Sequence, residues 1–309
     1  MGHISIRVST LRGDQKIDFD VFVKINDKMV HYLRRGDSFE GLRLKRLKEK
    51  KLKNLYILVD AEPSYRTYLK TNMESAYDPK SKRDFQARAD VVHGDQESHV
   101  EAVFESPEDR SAYDETKEAS LRYLDFLLKN PQAIPVVLKI ENVDKSLAHH
   151  GISVATMAFG LSQKMQPMDP KMVQWLVFGS LLHDIGHHGS KVNFSQPLSL
   201  LSPADLTLYK GHPKMGLERL KQTMHFDSQV LRIINEHEEH LDSTGFPGGL
   251  HENKLDPLSI ITATCNAMDR LISFEGISKS EAPKKLIMEH VGEHPLDQIK
   301  LLSEIIKAL

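Results

Sequence analysis

The chain has 309 residues, 40% of them apolar and 27% charged, with a net charge of −2 when histidine is neutral. That balance describes a soluble globular protein of about two domains and excludes a strongly basic nucleic-acid binder. A single cysteine, Cys265, excludes an internal disulfide framework; no apolar run approaches the ~20 residues of a membrane span and the N-terminus lacks a signal-peptide core, so a cytoplasmic protein without DNA, RNA or membrane partners is expected.

Residues 1–76 read as a small α+β regulatory or interaction domain. "DFDVFVKI" and "KMVHYLRR" alternate like strands on either side of Asn26-Asp27-Lys28, a hairpin-type connection. "SFEGLRLKRLKEKK" is helical with a basic outer face, and "NLYILVD" reads as a buried strand. "EPSYRTYLKTNM" opens a helix with Pro63 in its first turn. Asp60 at a strand end raises a phospho-receiver pocket, but the acidic pair, hydroxyl and lysine of such a pocket are not placed to join it. Residues 77–110 are polar and charged and read as a linker or connecting helix, a solvated spacer. From 111 to 309 the apolar spacing is helical almost throughout, so the fold class is mainly α: an all-α domain preceded by the small α+β one. Its helical segments are "YDETKEASLRYLDFLLKN", "AHHGISVATMAFGLSQKM", "PKMVQWLVFGSLLHDIG", "SPADLTLYKGHPKMGLERLKQ", "SQVLRIINEHEEH", "PLSIITATCNAMDRLIS" and "HPLDQIKLLSEIIKAL".

Twelve of the 16 histidines fall between His149 and His294, which places any chemical centre in that half. His150 shares a helical stripe with Val154, Met157, Ala158 and Leu161, while His149 lines up with Ser153 and Thr156. His150 is therefore expected to face inward and His149 outward. His237 completes the stripe of Val230, Ile233 and Ile234, His212 shares a face with Leu208, Met215 and Gly216, and Gly179 and Ser180 leave room beside His183. Each buried imidazole needs a partner, and satisfied core histidines are the plain alternative. Four of them from four helices, with Asp184 and Glu238 adjacent to two, point instead to a divalent metal. Nitrogen and oxygen donors without cysteine suit iron, manganese or zinc, and this many ligands suit two ions. Two ions together can clamp and hydrolyse a phosphate ester.

His150, then His183-Asp184 in "LLHDIGH", then "GHP" at Gly211–Pro213, then His237, then "DSTGFP" at Asp242–Pro247 resembles the HD-GYP family of the HD phosphohydrolase superfamily. The resemblance covers about 111–309. It implies an all-α fold with a two- or three-metal site, often iron, and hydrolysis of cyclic di-GMP to linear pGpG or GMP by a metal-bridging hydroxide. Carried onto this sequence, the ligands are His150, His183, Asp184, His212 and His237, with Asp184 as the bridge between two divalent ions. Iron is the first expectation, with manganese or zinc as further fits.

The sequence departs from the family pattern at several positions. The motif HHExxDGxGYP runs here from His237 to Pro247; its second histidine is Glu238, which can ligate through oxygen, and its tyrosine is Phe246. The late aspartate ligand falls on Asn266, a neutral and weaker donor, and Asp269 one turn on offers a substitute or a substrate contact. The glutamate of three-metal members is Ser146, which favours two ions. The lysine after the HD pair is His187, which can reach the same site and would protonate the leaving oxygen as imidazolium. The alternative is that His187 and His188 are a polar helix terminus. No segment of "SFEGISKSEAP" matches the R-P-Y-R-like stretch that holds the dinucleotide. Three functions follow: a phosphodiesterase for cyclic di-GMP or a related cyclic dinucleotide; a weakly active or inactive module that binds metal and offers the loop Gly245-Phe246-Pro247 to a diguanylate cyclase domain; or a phosphohydrolase of another phosphoester.

Overall fold

Asn26 and Asp27 adopt φ of 48° and 62°, the left-handed pair that closes a two-residue hairpin. In the computed structural model, which describes residues 2–223 and 225–307, strands β1 (His3–Arg7), β2 (Val21–Ile25), β3 (Lys28–Leu33) and β4 (Asn54–Leu58) form an antiparallel sheet in the order β1-β4-β2-β3. The hairpin expected from the sequence joins β2 to β3, whereas β1 has no counterpart among the expected elements. Leu55 and Ile57 are fully buried while Asn54 is exposed and Tyr56 and Leu58 are half-buried, so β4 alternates and is not buried on both sides. Helix α1 (Arg43–Glu49) starts later than its charged stretch suggests, because Gly41 just before it sits at φ 65°. Helix α2 (Glu62–Tyr77) carries Pro63 in its first turn.

The stretch read as a solvated spacer holds the helix α3 (Phe85–Glu105), and Val91, Val92, Val100, Val103 and Phe104 on it are buried. The charged residues around these valines hide their spacing in the composition. The chain divides into two compact units between Ser98 and His99, inside α3 rather than at 76 or 111.

The second unit is helical: α4 (Arg110–Lys129), α5 (Ala133–Leu138), α6 (Leu147–Lys164), α7 (Pro170–Leu182), α8 (Pro203–Lys210), α9 (His212–Lys221), α10 (Ser228–Glu236), α11 (Pro257–Asp269), α12 (Ala282–Glu289) and α13 (Leu296–Lys307). Local chemistry starts them. Asp109, Ser146, Asp169, Ser202 and Asp256 each accept a hydrogen bond from a first-turn N–H, and Pro170, Pro203 and Pro257 occupy the first turns that lack a donor anyway. Val154, Leu161, Leu176, Ile233, Leu258, Cys265 and Leu302 meet in one core. Two elements, α5 and α12, were not expected, and the stretch read as one helix across Gly211 is two. The last expected helical residues, Ala308 and Leu309, lie outside the described residues. No helix among the described residues is long and apolar enough to cross a membrane.

Candidate metal centre

Four imidazoles meet from four places in the helical unit. His150 comes from α6, His183 from the 3-10 turn His183–His187 that follows α7, His212 from the first position of α9, and His237 from the residue that caps α10. Each is at most 1% exposed. Asp184 and His187 from the same turn, and Asn266 and Asp269 from α11, are buried with them. Gly186 permits this approach: a β-carbon there would collide with the His212 carbonyl and the Gly216 nitrogen.

Hydrogen bonding decides which nitrogen each ring presents. The Nδ1 atoms of His183, His212 and His237 lie 2.7, 2.6 and 2.8 Å from the carbonyl oxygens of Ser180, Tyr209 and Ile234. A carbonyl only accepts, so each Nδ1 donates and each Nε2 keeps its lone pair. His150 Nδ1 donates to Asp269 Oδ2 at 2.6 Å. The remaining lone pairs face one another. His150 Nε2 is 3.2 Å from His183 Nε2, and His212 Nε2 is 2.9 Å from His237 Nε2. Asn266 Nδ2 donates to Glu238 Oε1 at 3.1 Å, which turns its Oδ1 toward His150 Nε2 at 3.0 Å.

Asp184 stands between the two pairs. Its Oδ2 is 3.6 Å from the Nε2 of both His150 and His183, and its Oδ1 is 3.2 and 3.5 Å from those of His212 and His237. Acceptors this close repel unless a proton or a cation lies between them. A cation that takes nitrogen and oxygen ligands satisfies them together, so the cluster is suited to a divalent metal.

The electrostatics agree with that donor set. Burial pushes His183 down to about 3 despite the charge of Asp184. Burial would raise Asp184, but His183, His212, His237 and His187 together hold its carboxyl well below the ordinary range. Burial also opposes a charge on His150, yet the hydrogen bond and charge of Asp269, with Asp184, raise its pKa.

His187 differs from its expected state. It is buried, its ring stacks on His212 with centroids 3.7 Å apart and on Phe194 at 5.2 Å, and its Nε2 lies 3.9 Å from Asp184 Oδ1. Burial, then the neighbouring His212, holds its pKa well below the usual imidazole value. It is a neutral ring at pH 7 and not the expected imidazolium, and it is no exposed helix terminus either. Its Nε2 has no hydrogen-bond partner among the described residues.

Other expected residues are placed as follows. Asp269 lies on the Nδ1 side of His150, where it orients the ring, and not among the converging lone pairs. Glu238 Oε1 accepts from the Tyr209 hydroxyl at 2.7 Å as well as from Asn266. Ser146 caps α6, accepting from the His149 backbone N–H. The Phe246 ring is 6.0 Å from Tyr209 and 6.3 Å from His212, and the Phe246-Pro247 peptide is cis. His149 does not face outward. It is 2% exposed and its Nε2 lies 3.1 Å from the Ile140 carbonyl, because α6 is covered on every side and no stripe of it meets solvent. Leu208 and Met215 are 56% and 51% exposed, so they do not share the buried face of His212; the break at Gly211 puts Leu208 on another helix.

The sequence reading missed Tyr209 and Arg270. The Arg270 guanidinium sits 5.0 Å over the Tyr209 ring and 5.4 Å over Phe274, and its Nη2 has no hydrogen-bond partner among the described residues. Burial opposes its charge, but Tyr209, Glu238 and Asp184 outweigh it and raise its pKa. The available signals were local: Tyr209 precedes His212 by one turn, and Arg270 follows Asp269 directly.

The HD domain family matches residues 138–296, just over half of the chain. The chain belongs to the HD domain family. Its type is HD-GYP: a solved structure of a HDG"Y"P protein from Bdellovibrio bacteriovorus is 53% identical, with a TM-score of 0.95 over 99% of this chain and all of that one. A cyclic di-GMP phosphodiesterase of Pseudomonas aeruginosa is 27% identical over 152 residues, 48% of this HD-GYP chain and 35% of its own. Another cyclic di-GMP phosphodiesterase, of Thermotoga maritima, is 26% identical over 166 residues, 51% of this chain and 42% of its own. The HD-GYP chain thus spans less than half the length of both curated relatives.

Proposed function

We propose that this chain is a metal-dependent phosphodiesterase acting on a cyclic dinucleotide, cyclic di-GMP first. The reading rests on one observation above the others: uncommitted lone pairs converge on both oxygens of Asp184. The names of the curated relatives support the substrate class. His150, His183, Asp184 and Asn266 would hold one ion, and Asp184, His212 and His237, with His187 or Glu238, a second. Iron fits this donor set, as do manganese and zinc. Bound there, two divalent ions supply Lewis acidity toward a phosphoryl oxygen and an activated water at neutral pH.

The chain's own residues prepare the site. Asp269 fixes the tautomer and angle of His150, and Tyr209 and Asn266 fix Glu238. Arg270 keeps a buried, uncommitted Nη2 for a phosphate oxygen, a charge that the missing R-P-Y-R-like stretch does not provide. His187 Nε2 offers a ligand atom or a hydrogen bond, but a neutral imidazole gives the leaving oxygen no ready proton. That one feature favours a second reading, slow or absent turnover in a module that binds nucleotide and signals through its Gly245–Pro247 loop.

The test is incubation of iron- or manganese-loaded protein with cyclic di-GMP, following pGpG by chromatography and binding by calorimetry. Product formation supports the enzyme. Binding without product supports the second reading, and neither binding nor product sinks the proposal.

A further inference from the structure

Outside the Asp184 cluster, a second group of metal-type donors lies at the base of the loop Asp242–Pro247. Leu241 N donates to the Glu293 carbonyl at 3.0 Å, which brings the stretch after His237 against the link between α12 and α13. His240, Glu293 and His294 then place one ligand atom each within 4.8 Å of one another. His240 Nδ1 is 3.6 Å from Glu293 Oε2, and the His240 and His294 rings are 5.4 Å apart between centroids. We propose that His240, Glu293 and His294 form a separate mononuclear site for a divalent ion, best suited to Zn2+, which ties the loop base to the α12–α13 link.

Neighbouring groups hold the trio in place. The Thr244 hydroxyl has one proton, and it goes to Asp242 Oδ1 at 2.7 Å. His240 Nδ1 lies 3.0 Å from that Oγ1 and 3.6 Å from Glu293 Oε2, so an ion bound at this nitrogen takes the place of its hydrogen bond to Thr244. His290 Nδ1 donates to Glu293 Oε2 at 2.8 Å and orients it, the outer-shell arrangement seen around metal-bound carboxylates.

Two imidazoles and one carboxylate without sulfur make a zinc set with one position left for water. Tetrahedral arms of about 2.0–2.1 Å place ligand atoms roughly 3.3 Å apart, against separations of up to 4.8 Å here, so side-chain rotations of up to about 1.5 Å close the trio. His240 and Glu293 side chains are 19% and 21% exposed, which leaves the ion a route in. The loop tied down by such an ion carries Phe246, whose ring borders Tyr209 and His212. Zinc there would fix the rim of the Asp184 cluster without joining it.

The experiment is zinc titration of the chelator-stripped full chain, with bound zinc counted by elemental analysis after desalting. His240→Ala/His294→Ala is expected to bind one ion per chain fewer than the wild type, and His183→Ala to keep that ion. Glu293→Gln alters a partly exposed carboxylate at constant shape, so it tests the site even where the double variant folds poorly; its zinc affinity at this site is expected to fall at least tenfold. A double variant that binds as many ions as the wild type overturns the proposal, as does Glu293→Gln titrating with unchanged affinity.

Discussion

Asp269 never meets the lone pairs around Asp184, yet it decides what His150 presents to them. Its 2.6 Å hydrogen bond holds the Nδ1 proton and so frees Nε2. Asp269→Asn keeps the shape and loses the charge. Metal affinity should drop about 10- to 100-fold, as for other outer-shell partners, and a competition titration against a chelating dye checks it. Protonation gives a second prediction for the metal-free protein. His183 falls from an ordinary value of 6.5 to about 3 on folding, so the unfolded chain binds more protons. Stability present above pH 6.5 is then lost as pH falls toward 3, by up to about 1.4 kcal/mol per pH unit for that one group. His187, also lowered, adds to the loss, while His150, raised, gives stability below its unfolded pKa that disappears as pH rises through the folded one. Three depressed rings, with His294 pushed by burial down to about 4, outweigh the two raised ones, His150 and His290. Urea midpoints of chelated protein should be lower at pH 5 than at pH 7; equal midpoints contradict the assignment. The inward histidines were legible at this scale because helical register alone aims them. His149 was not, since a helix buried all round has no outward face; Tyr209 and Arg270 stand next to singled-out residues in sequence, but their effect on Glu238 runs through space.

At the scale of elements, the site depends on close approaches that only particular residues permit. Gly186→Ala would drive a β-carbon into the first turn of α9 and displace His212. Overpacking of this kind costs about 1–3 kcal/mol, and here the shift falls on a donor, so metal stoichiometry should fall together with the melting temperature. The loop Asp242–Pro247 is held differently. Glu239 takes the N–H groups of Gly248 at 2.5 Å and Leu250 at 2.8 Å, and Phe246 N donates to the Glu238 carbonyl at 2.9 Å. Glu239→Ala leaves two partly buried donors without partners, about 1–3 kcal/mol each at most, whereas Glu239→Gln keeps an acceptor for one of them. Thermal unfolding should therefore rank wild type, Gln and Ala in that order; Gln no better than Ala would contradict this role. The sequence made most helix starts legible because Ser, Asp and Pro mark them chemically. It misplaced the break at Gly211 because the apolar stripe continues across it; Pro213 sits in the first turn of α9, which begins at His212.

For the whole molecule, the boundary at Ser98–His99 was illegible because charged residues dilute the valines of α3, while the sheet was largely legible from alternation and one turn. What remains is whether a bound ion stabilises the helical unit as a whole. The donors come from α6, the turn after α7, α9, the end of α10 and α11, so a ligand held among them resists separation of five segments distant in sequence. A ligand bound only by the native state at a hundred times its Kd adds about 2.7 kcal/mol. For a unit of this size that corresponds to roughly 5–10 °C in melting temperature. The chain's one tryptophan, Trp175, lies on α7, the helix that leads into His183-Asp184, so its fluorescence reports this unit and not the sheet. Chelation should lower the Trp175-detected transition, added iron or manganese should restore it, and Asp184→Ala should abolish most of the response by removing the carboxylate that both histidine pairs face. A Trp175 transition indifferent to metal in the wild type would mean that the converging lone pairs hold no ion, and the catalytic proposal would fall with them.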